Sequence, residues 1–151
     1  MNILLQIALK VRRFYWWLVR PVTWGVRAIV VNEKGEILLV RHRYGDGWFL
    51  PGGGAHKKES DEDALRRELK EELGMTFTTQ ERFGEYLNIY EHKKDTTVVF
   101  VIRFFTLDEK RHFEIESWQF FNPRMLPDDT SPGTRRRIEE WLNQRSISSQ
   151  W

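Results

Sequence analysis

Three glutamates, Glu68, Glu71 and Glu72, stand at i, i+3 and i+4 in the stretch DEDALRRELKEELG. At 3.6 residues per turn this spacing lines up all three carboxylates along one edge of a helix. Carboxylates crowded this way repel one another unless a cation sits among them. A hard, oxygen-seeking ion such as Mg²⁺ meets that need and also bridges protein carboxylates to substrate phosphates. Just upstream, Pro51 leads into Gly52, Gly53 and Gly54, residues that permit tight turns and close approach of backbone to a ligand.

The acidic edge needs an anchored helix beneath it. Ser60 followed by Asp63 forms a start signal close to a capping box, and Asp61, Glu62 and Asp63 suit the positive end of the helix dipole. Leu65, Leu69 and Leu73 recur every four residues as a stripe for burial, and Gly74 sits where a helix-terminating glycine is expected. The leucines seat the helix, and the glutamates run along the margin of the seated face.

Strands flank this segment. Residues 25–31 and 36–43 read as a pair joined by the turn at 32–35, and so as a hairpin. Residues 44–47 are a glycine-containing loop. After the acidic helix, residues 83–90 and 96–105 read as strands separated by a charged loop at 91–95. Residues 108–113, with Glu109 and Lys110, are a polar connection to a last strand over 114–121. Thr130, Ser131 and Pro132 start a final helix whose apolar face is Ile138, Trp141 and Leu142. The run Arg135, Arg136, Arg137 reads as an exposed helical face, and the tail after Arg145 as frayed.

Residues 1–20 have a helical pattern, with Leu4, Ile7, Val11, Tyr15 and Leu18 on one side, ending at Pro21. Lys10, Arg12 and Arg13 interrupt the apolar stretch well short of the roughly 20 residues of a membrane span. The charges follow the apolar run, the reverse of a signal peptide. Three readings stand: packing on the domain, a homodimer contact, or lying on a membrane surface with Trp16 and Trp17 beside basic residues. The domain boundaries expected are 1–21 for this amphipathic helix, 22–145 for the main domain and 146–151 for the tail, with a cytoplasmic location.

At 151 residues the chain is long enough for one domain with a sizeable core, and 40% hydrophobic with 30% charged residues is ordinary for a soluble globular protein. There is no cysteine, which excludes disulfides and thiolate metal sites. The net charge of +2 is too small to imply nucleic acid, so no specific nucleic-acid partner is expected.

Gly53, Glu59 and the run Arg67, Glu68, Leu69, Lys70, Glu71, Glu72, Leu73, Gly74, Met75 keep the spacing of the Nudix box, and residues 53–75 resemble that signature at every specified position. A chance match at a given start is on the order of one in a billion from average residue usage. The order of flanking elements is similar to the Nudix family over about residues 22–143. The resemblance implies an α/β fold, an α/β/α sandwich around a central mixed β-sheet, here with an added N-terminal amphipathic helix. It implies Mg²⁺- or Mn²⁺-dependent cleavage of a pyrophosphate bond in a nucleoside diphosphate linked to another moiety: a nucleotide sugar, a dinucleotide or a nucleoside triphosphate. The alternative is a non-catalytic Nudix-fold module that binds a nucleotide or a partner.

By the same resemblance Glu68 and Glu72 hold metal, with Glu71 and the carbonyl of Gly52 as further ligands. Glu59 and Arg67 brace the loop against the helix, and Gly53 and Gly74 support the box. The general base is either a box glutamate (Glu71 or Glu72) or an acid nearer the C-terminus, with Glu114 ahead of Glu116. Chemistry agrees, because a carboxylate cannot approach a pyrophosphate without cations between them. Candidate substrate walls are Arg27, Arg41, Arg43, Trp48, Tyr86 and Tyr90: an arginine can grip phosphate and an aromatic can stack a base. The chain departs from many family members at His56 and Lys58. The basic loop so formed reads either as a phosphate contact or as solvated charge. Glu91 stands where a proline often accompanies ADP-ribose hydrolysis, and the NADH-preferring pattern is absent. The substrate is therefore left open.

Overall fold

A computed structural model of the chain describes Ile7, Val11 and residues 22–43, 45–90, 93–108, 114–143 and 145–151. The expected N-terminal helix therefore lies outside the described residues, apart from Ile7 and Val11. So does most of the connection at 108–113. Among the described residues no helix is long and apolar enough to cross a membrane.

The centre of the molecule is β1 (Val22–Val30), which pairs on one side with β3 (Gly52–Gly54) and on the other with β6 (Lys93–Ile102). β6 pairs in turn with β5 (Glu81–Tyr90), giving a four-stranded sheet in the order β3-β1-β6-β5. β1 and β6 are parallel while the other two pairings are antiparallel, so the sheet is mixed. A second antiparallel pair joins β2 (Ile37–His42) to β8 (Ile115–Phe121), and a short one joins β4 (Thr76–Phe77) to β7 (Phe105–Thr106).

Burial on both faces explains why β1 is central. Val26, Ala28 and Val30 face one apolar cluster with α1 (Asp61–Leu73), while Ile29 and Val31 enter another with Ile138 of α2 (Pro132–Trp141). The two helices thus cover opposite faces. α1 starts as its sequence signals: Ser60 caps it by accepting from the Asp63 amide at 3.1 Å, and Gly74 closes it in the left-handed region at φ 59°. Leu65, Leu69 and Leu73 are fully buried, each adding about 2 kcal/mol of hydrophobic stabilisation.

Four expectations are corrected. The turn at 32–35 does form, with the Asn32 side chain accepting from the amides of Lys34 and Glu36. However, β1 and β2 do not continue as a hairpin; beyond the bridge between Val31 and Ile37 they diverge into different sheets. Residues 93–95 of the expected charged loop extend β6, with residues 91–92 outside the described set.

The three arginines of α2 are not a solvated face. Arg137 is completely buried, ion-paired to the equally buried Glu140 at 3.0 Å and seated on the Tyr86 ring at 3.9 Å. Nor does the tail fray. Leu87 donates its amide to Ser149 and accepts from Trp151, and Arg137 and Arg136 donate to the carbonyls of Gln150 and Trp151. The tail thus straps β5 to α2.

Candidate active site

The glycines of β3 are where backbone and glutamates meet. Gly52 has φ 138°, and a Cβ there would stand 2.1 Å from the Val26 carbonyl oxygen, so no side chain fits. Its amide donates to Glu72 Oε2 at 2.8 Å. A Cβ on Gly53 would fall 2.3 Å from a carboxylate oxygen of Glu68; the bare glycine is the cradle in which that carboxylate rests. Gly52→Ala is expected to cost about 3 kcal/mol or more, from left-handed backbone and a contact with rigid main chain. Urea unfolding of the purified variant checks this, and a loss below about 1 kcal/mol would show that the loop moves freely.

Arg67 gathers the segment. Its Nε and Nη2 grip Glu59 at 2.8 and 2.9 Å, Nη2 also donates to the Gly54 carbonyl at 2.8 Å, and Nη1 reaches Glu68 at 2.7 Å and Glu71 at 3.4 Å. A planar fork with several donors suits this bidentate and bridging task. The side-chain hydrogen bonds from Arg67, then the His56 amide, pull the Glu59 carboxyl down to about 2. The same pairing with Glu59 holds Arg67 above its ordinary value.

Glu72 is only 5% exposed. Burial raises its carboxyl to about 7; the Gly52 amide and Arg27 oppose that rise, and the negative charges of Glu68 and Glu114 add to it. Arg27 stands across from Gly52 in the β1–β3 register. Burial lowers its pKa, against the pull of Glu72, Glu68 and Asp95. His42 belongs to the same field and is absent from the sequence-derived candidates. It is held below its ordinary value first by burial and then by Arg27, with Glu114 opposing. A register shift between Arg41 and His42 sets His42 opposite Ile115, beside Glu114. No spacing rule points to that histidine, since the bulge that aims it arises from pairing with a strand far along the chain.

The structure therefore brings Glu68, Glu72, Arg27, His42 and Glu114 into one electrostatic group. Glu71 lies at its rim with a side chain 61% exposed. Glu116 is exposed on β8. The proposed substrate walls separate. Arg41 pairs with Asp129 at 2.6 Å and covers the Trp48 ring, and Trp48 itself is core, edge-on to Phe121. Arg43 is exposed, its amide bound to the Glu114 carbonyl. Tyr86 is corrected outright: it is 1% exposed and donates to Glu140, on the α2 side of the sheet. The Tyr90 side chain lies outside the described residues.

Among the described residues, no three acids or histidines are drawn together tightly enough to enclose a metal ion as they stand. The donor set nevertheless fits a hard divalent cation. It is all oxygen, Glu68 rests in a cradle that only glycine leaves open, and Glu68, Glu71 and Glu72 each use one oxygen in the hydrogen bonds above, leaving the other available.

A family model described as the NUDIX domain matches residues 21–142. The chain belongs to the Nudix family. Among solved structures, this Nudix domain is similar to a MutT protein from Methanosarcina mazei Go1, with a TM-score of 0.71 and 26% identity over 84% of this chain and 97% of the other. It is also similar to a MutT Nudix hydrolase from Burkholderia pseudomallei, with a TM-score of 0.69 and 26% identity over 78% and 96%. A protein named RNA pyrophosphohydrolase from Hahella chejuensis is 48% identical over 51 residues, which is 34% of this chain and 32% of that protein. The matched segment thus spans about a third of the length of that relative.

Proposed function

We infer that the Nudix domain hydrolyses a pyrophosphate bond in a nucleoside diphosphate derivative with the help of Mg²⁺ or Mn²⁺. One observation carries this reading: Glu72 is buried against the Gly52 amide with Glu68 beside it, an arrangement that costs stability in an empty protein and suits a cation. Glu68, Glu71 and Glu72, with the carbonyl of Gly52, would hold the ion. When bound, such an ion neutralises phosphate charge and makes an attacking water more acidic. Arg67 holds the Nudix loop to α1 and limits the freedom of Glu68. Arg27 meets the anionic phosphates with a guanidinium that has no carboxylate hydrogen bond of its own among the described residues. Glu114, or a box glutamate, takes the proton from water as the bridging P–O bond breaks.

The relatives named RNA pyrophosphohydrolase add RNA to the substrates suggested by the sequence. The test is a panel: 5′-triphosphorylated RNA, nucleoside triphosphates, dinucleoside polyphosphates and nucleotide sugars, each with Mg²⁺ or Mn²⁺, read by release of phosphate, pyrophosphate or nucleotide. Turnover of at least one class, abolished by a chelator and restored by the ion, is expected. Binding across the panel with no release would instead make the chain a nucleotide-binding module.

A further inference from the structure

The loop after β3 leaves a cleft of about 690 Å³ between itself and the start of β1, at the N-terminal end of α1. Trp24 forms one wall and is 38% exposed. Its indole N–H donates to Asp61 at 2.5 Å, which fixes the ring. The opposite wall is the loop carrying His56, Lys57 and Lys58, and it is held at several points. The Ala55 amide donates to the Trp24 carbonyl at 2.8 Å, the His56 amide to Glu59 at 2.8 Å, and Arg67 to the Gly54 carbonyl at 2.8 Å. Lys58 has φ 67°, a conformation that a side-chain-bearing residue adopts only when its surroundings impose it.

Both signs of charge line the cleft, with Lys57 and Lys58 on the loop and Glu59 and Asp61 at the start of α1. Glu59 is held by Arg67, which also pairs with Glu68 and Glu71, and Asp61 is held at 2.9 Å by Arg82, which also pairs with Glu85. Lys57 and Lys58 have no ion-pair partner among the described residues. The result is an oriented aromatic face next to two ammonium groups that are outside any ion pair among the described residues. A nucleobase stacks on such a face while its phosphate meets the cations, the combination by which single strands are held without sequence readout. Glu72 lies about 16 Å along the axis of α1 from Asp61, while Gly54 and Glu59 carry the cleft's lining toward Arg67 and Glu68, so the Trp24 end is set apart from the reacting phosphate and the cleft runs toward it.

We propose that this cleft holds a second nucleotide unit of an extended substrate, its base on Trp24 and its phosphate on Lys57 and Lys58. The proposal rests on the hydrolase reading and extends it from the cleaved bond to the rest of the molecule. An RNA chain and a dinucleoside polyphosphate share this chemistry, and substrate arms separate them.

The full chain and its Lys57→Glu/Lys58→Glu, Trp24→Ala and Trp24→Phe variants are assayed on a 5′-triphosphorylated oligoribonucleotide, a dinucleoside tetraphosphate and ATP. Charge reversal and Trp24→Ala are expected to raise KM about tenfold for an extended substrate and to leave kcat/KM for ATP within about twofold, with Trp24→Phe close to the parent. A rise on the oligoribonucleotide alone identifies an RNA chain; a rise on the tetraphosphate alone identifies a dinucleotide. Equal change on all three substrates, or on none, overturns the proposal. If the parent turns over nothing, the hydrolase reading fails separately. The cleft is then judged by fluorescence anisotropy of labelled oligonucleotide and dinucleotide in chelator. A tenfold weaker Kd in the charge-reversed variant, which keeps the indole intact, supports it, and an unchanged Kd sinks it.

Discussion

Glu72→Gln is expected to lower turnover by about 10²-fold or more and, in the absence of metal, to make the protein more stable at neutral pH. The two effects share one cause. Glu72 is nearly buried, and its carboxyl is raised from 4.5 to about 7, foremost by loss of hydration. A carboxyl raised in the folded state costs nothing below about pH 4.5, where folded and unfolded chains both carry the proton. The cost grows as pH climbs from about 4.5 to about 7, because the unfolded chain ionises first, and it is complete above that. The span corresponds to about 3 kcal/mol. Glutamine keeps an oxygen for the Gly52 amide and removes the charge. In chelator, parent and variant should therefore unfold alike near pH 4, diverge up to about pH 7, and stay apart by up to about 3 kcal/mol beyond it. Added Mg²⁺ should stabilise the parent and not the variant, by binding linkage. Near-normal turnover of the variant with Mg²⁺ would remove Glu72 from the mechanism. Parallel stability curves across pH would remove the claim of a buried charge.

That same residue marks how far the sequence can be read. The caps at Ser60 and Gly74, the leucine stripe and the edge of glutamates are local features of α1, set by a period of 3.6 and by end chemistry. The structure has them where spacing puts them. What spacing does not encode is which glutamate is buried. Glu72 and Glu71 are neighbours in sequence, yet one meets the Gly52 amide and the other is largely exposed, because only one lies over β3. The partners of β1 are equally non-local. A turn at 32–35 suggests a hairpin, but a strand buried on both faces joins β3 and β6, the latter as a parallel neighbour that no turn can announce. His42 and Tyr86 follow the same rule. The first enters the site through a bulge, while the second leaves it for the opposite face.

The largest stability effect is expected at Arg137. In sequence it is the third of three arginines on a surface-like helix. In the fold its guanidinium is fully enclosed, bound to Glu140 at 3.0 Å and to the Gln150 carbonyl at 2.7 Å, and stacked on Tyr86. Glu140 depends on it. That carboxylate also accepts from the Tyr86 hydroxyl at 2.9 Å and the Ser148 amide at 3.0 Å, but Arg137 is the cation paired with it. Removing Arg137 leaves a buried negative charge without its counter-ion, frees the strap at Gln150 and opens a cavity under Tyr86. Arg137→Ala should therefore cost about 3–5 kcal/mol, the usual consequence of breaking a buried pair from one side. Replacing both members with apolar residues of similar volume, Arg137→Met with Glu140→Leu, should recover much of that loss, since the ions repay their own desolvation only in part. Turnover per folded molecule should stay within about twofold, because none of the network's hydrogen bonds or ion pairs among the described residues reaches Glu68 or Glu72. Chemical denaturation of the single and double variants, with activity measured on the folded fraction, decides the matter. A loss below about 1 kcal/mol for Arg137→Ala would mean that the strap and the ion pair are not what holds α2 to β5.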